Sequence, residues 1–262
     1  MKLYPAPTSV GAAGLALTAS LTITVCFALT ACHDTTPPLS GALRLANGIA
    51  DSTDLGMTIG SLDTFTSIAV DTASGITYAP QGTYDAELNS NGVTFDANNI
   101  SVDHDRVTTV FAYGTSGSGT QAAFSIEESL DSPADGQAKL QPVYAALAAS
   151  ATASSLNFYF VTPGVCATAI VGASANVTSA FGATAATISL AGGTYEICVT
   201  DEGGTVVFDS GPTGIALPTS SSVDVYQLAV FDAPSGQGNG STLILSLLDN
   251  NGGTTVLHNL EH

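Results

Sequence analysis

The sequence predicts an all-β protein: two tandem immunoglobulin-like antiparallel β-sandwiches behind an N-terminal signal segment. Three observations lead there. Apolar residues alternate with a period of two, glycine-rich turns separate the alternating runs, and one order of segments occurs twice. Leu156, Phe158 and Phe160 fall on one face of a strand, with Asn157 and Tyr159 on the other. Tyr195, Ile197 and Val199 likewise alternate with Thr194, Glu196 and Thr200. Gly192-Gly193, Gly203-Gly204 and Asn89-Ser-Asn-Gly92 supply the turns. Hydrophobic content of 45% with charged content of 10% is too apolar for a disordered chain and ample for packed sheets.

In chain order, residues 1–31 read as a lipoprotein signal peptide. Lys2 precedes an uncharged apolar run that starts near Gly11 and ends in Leu29-Thr30-Ala31-Cys32. Small residues ahead of a cysteine are the signature of a lipobox, which would make Cys32 the acylated first residue of the mature protein. Residues 32–40 form a polar tether stiffened by Pro37-Pro38. His33 occupies the place where an aspartate would favour retention in the inner membrane, so the expected location is the cell envelope at the outer membrane.

The first sandwich is expected over residues 41–130 and the second over 138–257, joined by the turn-rich stretch 129–136. Gly82-Thr83-Tyr84-Asp85-Ala86-Glu87-Leu88 is echoed by Gly193-Thr194-Tyr195-Glu196-Ile197-Cys198-Val199. Val93-Thr94-Phe95-Asp96 matches Val206-Val207-Phe208-Asp209, and the strand opening at Val107 matches the one opening at Val225. Apolar closing segments begin at Ala122 and Leu243. The opening strands pair Ala42-Leu43-Arg44-Leu45 with Ala138-Lys139-Leu140-Gln141. Residues 194–209 read as a hairpin with Asp201-Glu202-Gly203-Gly204 at its tip.

Charge narrows the partners. The net charge is −18, and beyond the signal only Arg44, Arg106 and Lys139 oppose 22 acidic residues. Nucleic acid is excluded as a partner, because its binders need basic stripes. Beyond Cys32 no uncharged run is long enough to cross a bilayer as a helix, so the expected membrane contact is the lipid. Of four cysteines, Cys26 leaves with the signal and Cys32 takes the lipid; Cys166 and Cys198 are expected to form one disulfide. Cys198 shares the polar face of its strand with Glu196 and Thr200, and Cys166 follows Pro163-Gly164. The bond should therefore staple a connecting loop to a wet outer sheet face. No tryptophan is present to pack on it, unlike a true immunoglobulin domain.

Gly193-Thr-Tyr-Glu-Ile-Cys-Val, then Val207-Phe-Asp-Ser-Gly-Pro212, then a long strand and a Leu-rich closing strand resemble a bacterial family known only as a domain of unknown function. Its members occur as tandem immunoglobulin-like repeats in exported proteins and lipoproteins. The resemblance covers most of residues 138–250 and, more weakly, 41–128. It implies the tandem sandwich and no catalytic residues. Leu156-Asn-Phe-Tyr-Phe160 replaces the family's Val-Asp-Val-Tyr, and the first copy lacks the Asp-Ser-Gly-Pro extension.

Little chemistry is legible. Beyond the signal the histidines are His33, His104, His258 and His262, and only His104 falls inside a predicted sandwich. No Gly-x-Ser-x-Gly elbow or His-Glu-x-x-His helix occurs. Gly236-Gln-Gly-Asn-Gly240 lacks a lysine and reads as a hairpin loop; Asp249-Asn-Asn-Gly-Gly253 reads as a turn. Asp103 and Asp105, alternating on an extended segment, are the candidate metal ligands, with calcium as the ion and with oxygens from Asp51 and Asp54 if that loop lies at the same end. Tyr113, Tyr159 and Tyr226 are candidates for stacking on sugars, against the plainer role of packing. The function expected is a lipid-anchored, non-enzymatic envelope protein acting as a structural, adhesion or ligand-binding module. Its partners would be the membrane, through Cys32, and a polysaccharide or envelope protein. A calcium-stabilised carbohydrate-binding protein is the alternative, and a carboxylate-dependent glycoside hydrolase working in the groove between the copies is the third reading.

Overall fold

Nine strands account for the N-terminal part of the described chain: β1 (Ser40–Ile49), β2 (Leu55–Thr58), β3 (Thr64–Ile68), β4 (Thr72–Ala73), β5 (Thr77–Pro80), β6 (Gly82–Ser90), β7 (Val93–Val102), β8 (Arg106–Gly114) and β9 (Ala122–Ser129). The computed structural model describes residues 39–60, 62, 64–217, 225–249 and 252–260. The signal segment, Cys32, His33, the tether to residue 38 and His262 lie outside them. One sheet has the order β4-β1-β8-β9 with β5 on the other end of β1, and the facing sheet has the order β3-β2-β6-β7. Leu43, Leu45, Met57, Leu88, Ile100 and Val110 close the core between them.

The C-terminal part adds β10 (Gln137–Tyr144), α1 (Leu147–Ser150), β11 (Ser155–Val161), α2 (Cys166–Ala169), β12 (Val177–Ala180), β13 (Ile188–Ala191), β14 (Gly193–Thr200), β15 (Val206–Asp209), β16 (Ile215–Leu217), β17 (Val225–Asp232), β18 (Leu243–Asp249) and β19 (Thr254–Leu257). Here the orders are β13-β10-β17-β18-β19 and β12-β11-β14-β15, with β16 also pairing β14. Phe158, Ile197, Val199, Phe208, Leu228 and Leu245 fill this core. The residue faces read from the period-two pattern hold: Leu156, Phe158 and Phe160 point inward, as do Ile197 and Val199. The hairpin over 194–209 is present, its tip closed by Asp201 N–H to Thr205 O at 3.0 Å and Gly204 N–H to Asp201 O at 3.1 Å.

Two expectations change. The sheets are not purely antiparallel: β1 runs parallel to β8, and β10 parallel to β17. A parallel neighbour needs a long crossover, and in each part the chain supplies one by building the opposite sheet before returning. The opening strands also align one residue away from the expected match. Ala42 pairs with Val107 and Lys139 with Val225, so Arg44 occupies the position of Gln141, not of Leu140. One step along a strand exchanges its faces, so this shift decides what meets what below.

The third packing layer was not anticipated. The outer faces of the β1–β8–β9 and β10–β17–β18 sheets lie on each other, burying Ala46, Phe111, Ile126, Val143, Ala229, Phe231, Ile244 and Leu248. Phe111 lies 6.4 Å from Phe231 across this seam, and Phe181 meets Tyr113 and Tyr144 edge-on at 5.3 and 5.6 Å. Gly48 is glycine for a steric reason: a β-carbon there would sit inside the ring of Phe231. The result is four stacked sheets and one compact unit over residues 38–262. Because β1, β8, β17 and β18 are covered on both sides, almost every residue in them is buried.

Candidate functional site

Polar side chains collect in the seam and line a cleft at one of its ends. In the seam, Arg44 is fully buried. Its Nε and Nη2 donate to Thr109 Oγ1 at 3.2 and 3.1 Å, Nη2 to Gln227 Oε1 at 2.7 Å, and Nη1 to the carbonyl of Asp249 at 2.7 Å. Thr109 Oγ1 donates to Gln227 Oε1 at 2.7 Å, and Gln227 Nε2 to Gln141 Oε1 at 3.2 Å. The network joins paired positions in one sheet, Arg44 and Thr109, to the corresponding pair Gln141 and Gln227 in the other. Burial pulls the guanidinium pKa down to about 10 against the opposing pull of Glu128 and Asp249.

Glu128, 2% exposed, has no hydrogen bond to either carboxylate oxygen. Burial lifts its pKa to about 7, although Arg44 and Lys139 work the other way. Arg44 compensates it poorly because its donors are committed to Thr109, Gln227 and Asp249. At the β4 side of the seam, Asp71 is similar: Oδ1 is buried and unpartnered, and burial lifts the carboxyl to about 7. The Asp71 carbonyl accepts from Ser246 Oγ at 2.6 Å, tying the two sheet pairs together there.

The cleft, about 560 Å³, opens at the C-terminal ends of the parallel strands. Ala50 and Thr115 form one wall, Ala148 of α1 another, and the loop 233–242 the third, with Asp232 among the lining residues. Asp232 is 7% exposed. Its Oδ2 accepts from Ala148 N–H at 2.9 Å and its Oδ1 from Ala149 N–H at 3.3 Å. Burial raises its pKa, and these amides hold the rise back. The loop is tied down by Ala233 N–H to Thr242 O at 2.8 Å, Ser241 N–H to Gly238 O at 2.8 Å and Ser241 Oγ to Val207 O at 2.6 Å. Any side chain at position 238 would collide with the Ser241 carbonyl. The glycine-rich segment is thus the hairpin loop its sequence suggested, and it also walls the cleft.

The residues singled out from sequence are not brought together. Asp103–Asp105 is a tight turn, with Asp105 at φ +61°, so the two side chains are not alternating neighbours on an extended segment. Asp103 Oδ1 accepts from Gln81 Nε2 at 3.2 Å, and Asp105 Oδ2 pairs with His104 Nδ1 at 2.7 Å. Asp51 and Asp54 follow the far end of β1, whereas Asp103 and Asp105 precede the start of β8; since these strands are parallel and in register, roughly 25 Å of strand separates the two groups. Asp51 instead accepts from Ser116 and Gly117 N–H at 2.6 and 2.7 Å. Among the described residues no group of three His, Cys, Asp or Glu could hold a metal ion.

Tyr159 and Tyr226 are buried, and Tyr113 is ring-packed against Phe124 and Phe181. Gly253 N–H donates to Asp249 Oδ1 at 2.7 Å, and residues 250 and 251 of the expected turn lie outside the described residues. His258 Nδ1 contacts the Gln237 carbonyl at 3.2 Å.

Cys166 and Cys198 form the disulfide, with α-carbons 5.8 Å apart. The bond joins α2 to the outer face of β14, away from the core, but that face is not wet. Cys198, Glu196 and Thr200 are all buried. Glu196 Oε2 accepts the N–H groups of Gly164, Val165 and Cys166 at 2.8, 2.9 and 3.1 Å, drawing the α2 segment down over the sheet. In the N-terminal part Glu87, the counterpart of Cys198, is exposed, as the polar pattern suggested.

A family model described as a domain of unknown function (DUF4397) matches residues 41–159. That stretch begins one residue into β1, takes in β2–β9, crosses the connection at 129–136 and ends within β11. The similarity therefore lies over the N-terminal sheet pair, where the sequence motifs had looked weaker. No curated protein matches the chain.

Proposed function

We propose that the chain is a lipid-anchored, non-enzymatic protein of the cell envelope, probing or bridging its surroundings as a structural and ligand-binding module. In this reading two copies of one immunoglobulin-like domain follow the acylated Cys32 and the short tether, with the outer membrane as the location. The observation that carries it is the seam. Arg44 and the Phe111–Phe231 contact weld the two sheet pairs into one body, which suits a spacer that must hold a surface at a set distance from its anchor. The repeated strand order supports the two-copy reading.

The deciding experiment is fractionation of cells making the wild-type chain or Cys32→Ser, with mass spectrometry of the mature N-terminus. The expected result is a diacyl or triacyl mass on Cys32 and membrane retention that the serine variant loses. An unprocessed leader on a cytosolic chain would overturn the reading.

A further inference from the structure

We propose that the cleft between Ala50, Thr115 and the loop 233–242 binds a protonated amine carried on a short flexible chain, the chemistry of a small polyamine. Among the described residues Asp232 is the charged group of the cleft. Asp232 is nearly enclosed; its oxygens accept the amides of Ala148 and Ala149 and the Leu147 amide also stabilises the carboxylate, so of its roughly four lone-pair sites about one is left for a further donor. An ammonium carries three donors, and Ser235 and Thr242 of the same lining can take those the carboxylate leaves, whereas the Thr115 hydroxyl is engaged with Ser118 and Thr120 and the Ser241 hydroxyl with the Val207 carbonyl and Leu243 N–H.

The long-range field selects the same class. Arg106 and Lys139 stand at the opposite ends of β8 and β10, and Arg44 is enclosed in the seam with its donors committed. Among the described residues no Lys or Arg lines the cleft, while Asp51 directly follows the rim residue Ala50. A chain of net charge −18 concentrates cations and repels anions. The lining then narrows the choice. Among the described residues it holds no aromatic ring, so a sugar ring or a base would find no stacking platform there. The described lining supplies one carboxylate, too few anionic ligands for a hard divalent cation. The volume, about 560 Å³, accommodates a linear amine.

The site is independent of the lipid anchor, so the test uses the full chain in detergent, titrated calorimetrically with putrescine, spermidine, 1,4-butanediol and magnesium chloride. The expected result is one putrescine or spermidine per chain, with the neutral diol at least tenfold weaker and magnesium not competing. Asp232→Asn should weaken the amine at least tenfold. Because Asp232 also holds the first turn of α1, Ala50→Arg provides a second variant: a guanidinium at the rim should abolish binding while leaving the melting temperature near that of the wild type. Hydrogen exchange at 233–242 should slow on adding the amine. Amine binding that Ala50→Arg leaves unchanged, a stoichiometry above one, equal affinity for the diol, or displacement by magnesium would each overturn the proposal, as would no heat of binding.

Discussion

At the scale of single residues, the scarce cations and the misplaced acids set the energetics. Glu128 and Asp71 are buried carboxyls lifted to about 7. In the unfolded chain each gives up its proton near the ordinary carboxylate value. Between that value and 7 the folded protein holds more protons than the unfolded one, so stability falls as pH rises and reaches its floor above 7. For Glu128 the loss is about 3 kcal/mol. Glu128→Gln should therefore reduce the fall of the urea midpoint between pH 5 and pH 8 to the share that Asp71 contributes, and stabilise the protein at pH 8; a variant less stable than wild type at pH 8 would show that the carboxylate is favourably paired there. Arg44 should behave oppositely. Arg44→Met strips the charged donor from Gln227 Oε1 and from the Asp249 carbonyl, which keep the weaker donors Thr109 Oγ1 and Gly252 N–H, and it leaves buried Glu128 without the guanidinium that favours its ionised form, at a cost of about 3–5 kcal/mol. The same substitution made in the Glu128→Gln background should cost less, as a double-mutant cycle would measure.

At the scale of elements, the outer face of β14 shows how a polar pattern can mislead. Glu196, Cys198 and Thr200 alternate with core residues as a solvated face would, yet all three are covered. Over Glu196 and Cys198 the cover is the α2 segment, held by the Glu196 carboxylate and by the disulfide. Replacing both cysteines by alanine should lower stability by about 2–4 kcal/mol, since the bond closes a loop across a sequence separation of 32. Glu196 should keep the segment docked without the bond. Hydrogen exchange is expected to show amides 164–166 still protected in the cysteine-free protein and exposed only when Glu196→Ala is added. Full exposure after reduction alone would assign the docking to the disulfide.

At the scale of the whole molecule, the seam converts what period and repeat present as two separate sandwiches into one stack of four sheets. Phe231 fits only because Gly48 lacks a side chain. Calorimetry of the native protein should accordingly show one cooperative transition. Gly48→Val, by overpacking a site that cannot yield, should cost about 1–3 kcal/mol and separate the trace into two transitions. Two transitions already present in the native protein would mean that the seam couples the halves weakly.

The alternation in β11 and β14, the hairpin tip at 201–204 and the pairing of Cys166 with Cys198 were legible in the sequence, because each rests on local chain geometry or on a count of cysteines. The candidate site was not. Asp232 ends a strand and Arg44 sits mid-strand, and nothing local marks either; the seam is built from β1, β8, β9, β10, β17 and β18, which are far apart along the chain. Asp103 and Asp105 looked close to Asp51 and Asp54 only while the direction of β8 was unknown. The amino-acid order by itself determined the all-β class, the residue faces of the strands and the excess of negative charge, since these depend on period and composition. Only the tertiary structure decided which polar faces are dry and where the cleft opens, because those follow from the register and stacking of distant strands, and a shift of one residue exchanges the two faces of a sheet.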